Sequence, residues 1–124
     1  MCVLLVEDEP VILMATAFFL EEASLKVMTA NDGLHAVDLI DQHPGYFTAL
    51  VTDFHMPFAT GAHVVMHMRR KYPDIPMVIT TALTHVVTED WRLQHAVDMV
   101  GKPYNPETLV GLNGYAVGQR IAPS

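Results

Sequence analysis

The chain has 124 residues, 51% of them hydrophobic, which suffices for one domain with a substantial core. Its formal net charge of -7, with only seven Lys and Arg, argues against direct nucleic-acid binding, which rewards clustered cations. Cys2 is the single cysteine, so no intrachain disulfide forms, and the lack of a basic leader or a long apolar run predicts a cytoplasmic chain without membrane insertion.

The first apolar run, residues 2–6, reads as a buried strand in which Cys2 is a small core residue; it ends in Glu7-Asp8-Glu9. Pro10 to Ala23 then has helical length. Within it Ile12, Ala15, Thr16, Phe19 and Leu20 keep the spacing of a sheet-facing stripe, leaving Leu13, Met14, Ala17 and Phe18 outward as an apolar patch of the kind that marks a contact site. A second run at 26–30 meets the turn Asn31-Asp32-Gly33, and a helix is expected from Leu34 to Gln42. The third run, 48–52, stops at Asp53 and turns at Met56-Pro57 before a helix from Ala62 to Tyr72. His63 and His67 lie four apart on that helix, but no third ligand for a transition metal is evident, so they read as a surface pair. Tyr72-Pro73-Asp74 closes this helix, a fourth run spans 76–81, and His85 to His95 reads as the next helix. A fifth run at 97–101 leads to Gly101-Lys102-Pro103 and a last helix from Pro106 to about Arg120. Gly111, Gly114 and Gly118 each cost that helix about 1 kcal/mol against alanine, which predicts a short or frayed element whose glycine face admits another backbone. Strict alternation of strands and helices, joined by right-handed crossovers, predicts one α/β domain over residues 1–124: a doubly wound five-stranded parallel sheet of order 2-1-3-4-5.

In such a sheet, ligands bind beyond the carboxyl ends of the strands. Glu7 and Asp8, then Asp53, Thr80-Thr81-Ala82 and Lys102 all fall on that edge. Asp53 alone has three fates, namely capping the next turn, pairing with a cation or doing chemistry. Three converging carboxylates repel one another unless a divalent ion takes up the charge, and a hard, oxygen-ligated ion such as Mg2+ suits them. Lys102 adds a point charge for an anion and a threonine adds a hydroxyl, so the set reads as a phosphoryl-transfer site.

Leu-Leu-Val-Glu-Asp-Glu-Pro at 4–10, Thr-Asp-Phe-His-Met-Pro with Gly61 at 52–61, Thr81-Ala82 and Lys102-Pro103 together resemble the receiver domain of two-component response regulators, over essentially the whole chain. The resemblance implies a flavodoxin-like (βα)5 fold. It also implies that Asp53 is the phosphoacceptor, Asp8 and Asp53 hold Mg2+ with Glu7 acting largely through water, the His55 backbone carbonyl is a further metal ligand, Thr81 is the switch hydroxyl and Lys102 contacts the phosphoryl group. The donor would be a sensor histidine kinase or a histidine phosphotransfer protein. The chain would catalyse only its own phosphorylation and dephosphorylation. The outward patch of the first helix, beside the glycine face of the last, would dock that donor or a second copy of the chain. The His55 side chain, two residues past the acceptor, is positioned to gate the hydrolytic water. The family usually has a cis bond before the proline of Lys102-Pro103. Met99 stands where the family usually carries an aromatic coupled to the threonine, which predicts weakened switching. Two rivals remain. A degenerate receiver serving as a constitutive interaction module conflicts with intact Asp8, Asp53, Thr81 and Lys102, and a haloacid dehalogenase phosphatase needs a second aspartate where His55 stands.

Overall fold

In the computed structural model of the protein, residues 2–56, 58–82 and 87–105 are described. Five strands, β1 (Cys2–Val6), β2 (Val27–Ala30), β3 (Phe47–Asp53), β4 (Met77–Thr81) and β5 (Val97–Gly101), alternate with α1 (Pro10–Glu22), α2 (Gly33–Gln42), α3 (Gly61–Lys71) and α4 (Glu89–His95). All neighbouring strands run parallel in the order β2-β1-β3-β4-β5, as the alternation predicts.

Strand alternation divides the core into two layers. Cys2, Leu4 and Val6 of β1, Leu50 of β3 and Met77 and Ile79 of β4 face one layer, which α2 and α3 close with Ala36, Ile40, Val64, Val65 and Met68. Val3, Leu5, Ala49, Val51 and Val78 face the other, closed by Ala17 and Leu20 of α1. Both faces of the central strands are therefore dry. That is why these segments read as unbroken apolar runs.

Helix starts follow from side-chain caps. Asp32 accepts the His35 N–H at 2.7 Å ahead of α2. Thr60 and His63 form a reciprocal capping box at α3, so His63 serves the helix end. His67 Nε2 lies 2.8 Å from Asp41 on α2, and Lys71 Nζ lies 2.6 Å from the same oxygen, a solvated tie between the two helices. Neither histidine joins a metal-ligand cluster among the described residues.

At the amino ends of β4 and β5 the Arg69 guanidinium gathers five backbone carbonyls. Its Nη1 donates to Tyr72, Pro73 and Ile75, its Nε to His95 and its Nη2 to Ala96. One side chain thus joins the end of α3, the lead into β4 and the turn between α4 and β5.

Two expectations change. The α4 helix begins at Glu89 because Thr88 caps it through the Trp91 N–H at 3.2 Å, so the expected start at His85 fails; residues 83–86 lie outside the described residues. On α1 the buried stripe is Thr16, Ala17 and Leu20 with Leu13 packed beside it, whereas Ala15 is exposed. Ala17 therefore faces the sheet and Leu13 is half-buried, contrary to the spacing argument. Nearly every residue from Val11 to Leu20 is apolar, so periodicity there does not distinguish the faces. Val11, Met14 and Phe18 are exposed. The expected last helix, with its three glycines, lies outside the described residues.

Candidate functional site

The carboxyl ends of the strands bring together residues far apart in the chain. Glu7 follows β1, and its N–H still donates to Ala30 of β2 at 3.1 Å, which carries the strand's direction into the acidic pair. Asp53 is the last residue of β3, in register with Thr80 of β4, and the next N–H, of Phe54, donates to Thr80 at 2.9 Å. Lys102 follows β5, with its N–H 2.7 Å from the Thr81 carbonyl. The Lys102–Pro103 peptide is cis.

Glu7, Asp8 and Asp53 each offer a carboxylate oxygen within 4.8 Å of the others. Glu7 and Asp53 are buried, 2% and 5% exposed, and Asp8 is the more open of the three. Lys102 enters between the two buried ones, its Nζ 2.7 Å from Glu7 Oε1 and 3.1 Å from Asp53 Oδ2. Two buried carboxylates thus share one ammonium, an arrangement short of positive charge. Burial, and then the charge of Glu7, push the Asp53 carboxyl from its ordinary 3.8 up to about 7, while Lys102 pulls the other way. Burial also works against the Lys102 cation, but hydrogen bonding to Glu7 and Asp53 outweighs it and holds its pKa above the ordinary lysine value.

That shift carries a stability consequence. Below pH 3.8 the Asp53 carboxyl is protonated both folded and unfolded; between there and about 7 the unfolded chain sheds the proton first, so rising pH favours unfolding. The metal-free parent should therefore melt close to an Asp53→Asn variant near the low end of this window. It should fall several degrees below the variant past the upper end. Thermal melts across that range in a chelator check it, and a gap that does not widen with pH would contradict it.

Of the residues singled out from sequence, Glu7, Asp8, Asp53 and Lys102 converge directly. Thr81 ends the adjacent strand, fully buried. His55 is exposed two residues beyond Asp53, its ring edge-on to Phe54 at 5.0 Å. Met99 is partly buried against the larger core layer, paired with Ile79 of β4. Gly61 permits the close approach of α3: a Cβ there would strike the Asp53 carbonyl and the Phe54 Cα. The Glu9 side chain makes no capping bond at α1.

Sequence reasoning passed over one contact. The Tyr104 hydroxyl, two residues past Lys102, meets Thr16 Oγ1 of α1 at 3.1 Å across 88 positions. Its only signal in the sequence is a threonine within the apolar stripe of α1.

Comparison with known proteins identifies relatives in sequence and in fold. Residues 3–112 match the response regulator receiver domain family. The chain is 32% identical over 108 residues to the response regulator SaeR of Staphylococcus aureus, covering 86% of this chain and 46% of that protein. It is 28% identical over 115 residues to the peroxide stress-activated histidine kinase mak3 of Schizosaccharomyces pombe, covering 87% of this chain and 5% of the kinase. The chain thus spans less than half the length of either relative. Among solved structures, the Vibrio cholerae chemotaxis protein CheY4 superposes with a TM-score of 0.81 at 27% identity, over 93% of this chain and 97% of that one. The response regulator TrrA of Thermotoga maritima, in complex with Mg2+ and BeF, superposes equally well, with a TM-score of 0.81 at 24% identity, over 93% and 97%.

Proposed function

Because this chain belongs to the response regulator receiver domain family, we propose that it is a phosphoacceptor, in which Asp53 takes a phosphoryl group from a histidine kinase or phosphotransfer protein and thereby changes what the domain binds. The observation that carries this reading is the Lys102 ammonium held 3.1 Å from Asp53 inside an acidic triad. A carboxylate so placed is a nucleophile with a cation already beside the oxygens it will carry.

Asp53 attacks phosphorus, the bond from phosphorus to the donor imidazole or acyl oxygen breaks, and the leaving group departs with its electron pair. Lys102 offsets charge on the transferring oxygens. The three carboxylates fit a hard divalent cation, with Asp8 and Asp53 as ligands, Glu7 acting through water and the His55 carbonyl completing the protein's share. Mg2+ bound there would neutralise charge on the phosphoryl oxygens. The Mg2+ in the structural neighbour from Thermotoga maritima supports that choice. The aspartyl phosphate then draws the Thr81 hydroxyl, biasing an equilibrium between two forms. Hydrolysis, with His55 governing access of water, resets the domain. The described residues include no helix long and apolar enough to cross a membrane.

Incubation with acetyl phosphate and Mg2+, followed by intact-mass spectrometry, tests the proposal. One phosphoryl adduct supports it, and an unchanged mass leaves the domain as an unphosphorylated interaction module. The exposed Val11, Met14 and Phe18 of α1 are assigned to the protein donor or a second copy of the chain. A Phe18→Glu variant should keep labelling by acetyl phosphate while losing transfer from a phosphorylated kinase or eluting as a smaller species. Parent-like transfer and sedimentation would show that the patch is ordinary surface.

A further inference from the structure

The Lys102 side chain is 13% exposed and held by two charged partners. Toward α1 it borders an open groove of about 490 Å3, lined also by Ile12, Ala15, Ala82 and Pro103. Beside this groove the Tyr104 ring packs against the smaller core layer, next to Leu13, and a hydrogen bond fixes its hydroxyl end. Thr16 is 2% exposed, and its hydroxyl meets the Tyr104 hydroxyl at 3.1 Å. Pro103, between Lys102 and Tyr104, has its φ fixed by its ring, so the anchored tyrosine transmits its position to the lysine with little slack. At its amino end α1 begins at Pro10, separated from Glu7 and Asp8 only by Glu9. The same helix thus follows the acidic pair and, at Thr16, holds the lysine's loop.

We infer that Thr16 and Tyr104 form a positioning pair that fixes the Lys102 ammonium against Glu7 and Asp53. Neither touches the transferring group. They act by holding the two halves of the site in register, one contributed ahead of α1 and the other after β5. The inference rests on the phosphoacceptor reading for its kinetic consequence and on the hydrogen bond alone for its structural one.

The test is a double-mutant cycle on the whole chain with Tyr104→Phe and Thr16→Val, which keep ring and side-chain volume while removing one hydroxyl each. Each single variant should be labelled by acetyl phosphate and Mg2+ about fivefold more slowly than the parent, and the double variant no more slowly than either. Thr16→Ser, which keeps the hydroxyl, should restore the parent rate. The second readout needs no phosphorylation. Acylation of Lys102 by acetic anhydride, followed by peptide mass spectrometry with Lys26 and Lys71 as internal references, should be about threefold faster in both single variants.

Lys102 acylation unchanged from the parent would overturn the inference, as would multiplicative rate losses or a Thr16→Ser variant as slow as Thr16→Val. Failure of the parent to take up phosphate would sink the phosphoacceptor reading instead, and the acylation result would still decide whether the pair positions the lysine.

Discussion

Replacing Asp53 with Asn should abolish phosphate uptake from acetyl phosphate, and removing divalent cations should do the same to the parent. The substitution keeps the side-chain shape but exchanges a carboxylate oxygen for an amide, which is too poor a nucleophile to form the acyl phosphate. The fold should survive, because Lys102 retains Glu7 at 2.7 Å and the site loses one of two buried negative charges that share it. The cation requirement follows from the same geometry. Three carboxylate oxygens already lie within 4.8 Å of one another, and an incoming phosphoryl group brings more negative oxygens than one lysine offsets. Intact-mass spectrometry should therefore find labelling reduced on the order of a hundredfold or more in the variant or in a chelator. Equal labelling of Asp53→Asn would move the acceptor elsewhere. Labelling in a chelator would remove the cation from the reading.

Gly61→Ala should lower the melting temperature by roughly 10 °C, corresponding to about 3 kcal/mol. The added methyl meets backbone, the Asp53 carbonyl and the Phe54 Cα, and neither yields as the tip of a side chain would. The Gly61 N–H also donates to the Phe54 carbonyl at 2.9 Å, so α3 has no slack in which to retreat. Whatever moves displaces the backbone of Asp53. The folded variant should accordingly be labelled more slowly as well as melt earlier. Gly45 is the control. It has φ 74 but open space around it, so Gly45→Ala costs only about 1 kcal/mol from backbone strain. Comparable losses at the two positions would mean that backbone conformation, and not the close approach, governs Gly61.

The sheet was legible because its central strands are buried on both faces and so announce themselves as continuous apolar runs. The site was legible for a related reason: in a parallel sheet every strand's carboxyl end lies on one edge, so Glu7, Asp8, Asp53 and Lys102 meet once the strands are ordered. The α1 faces were not legible. Helical periodicity needs polar residues to mark the outside, and Val11 to Leu20 offers almost none, so Ala15 and Ala17 were exchanged. The start of α4 depended on whether the chain is capped at Thr88, a local hydrogen bond that competes with the helical tendency of the residues before it. The Thr16–Tyr104 bond spans 88 positions and links two side chains that have no local pattern in common.

The Arg69 clamp makes the molecule mechanically lopsided. It pins the amino ends of β4 and β5, the edge of the sheet opposite the acidic site, with a rigid planar fork that a lysine could not reproduce. A structure held like a beam fixed at one end deflects at the other. A rearrangement prompted by charge appearing on Asp53 should then be expressed near Thr81 and Lys102 and not at the Arg69 end. Amide exchange should register this as a gradient along β4 and β5, slowest beside Arg69 and fastest toward the acidic edge.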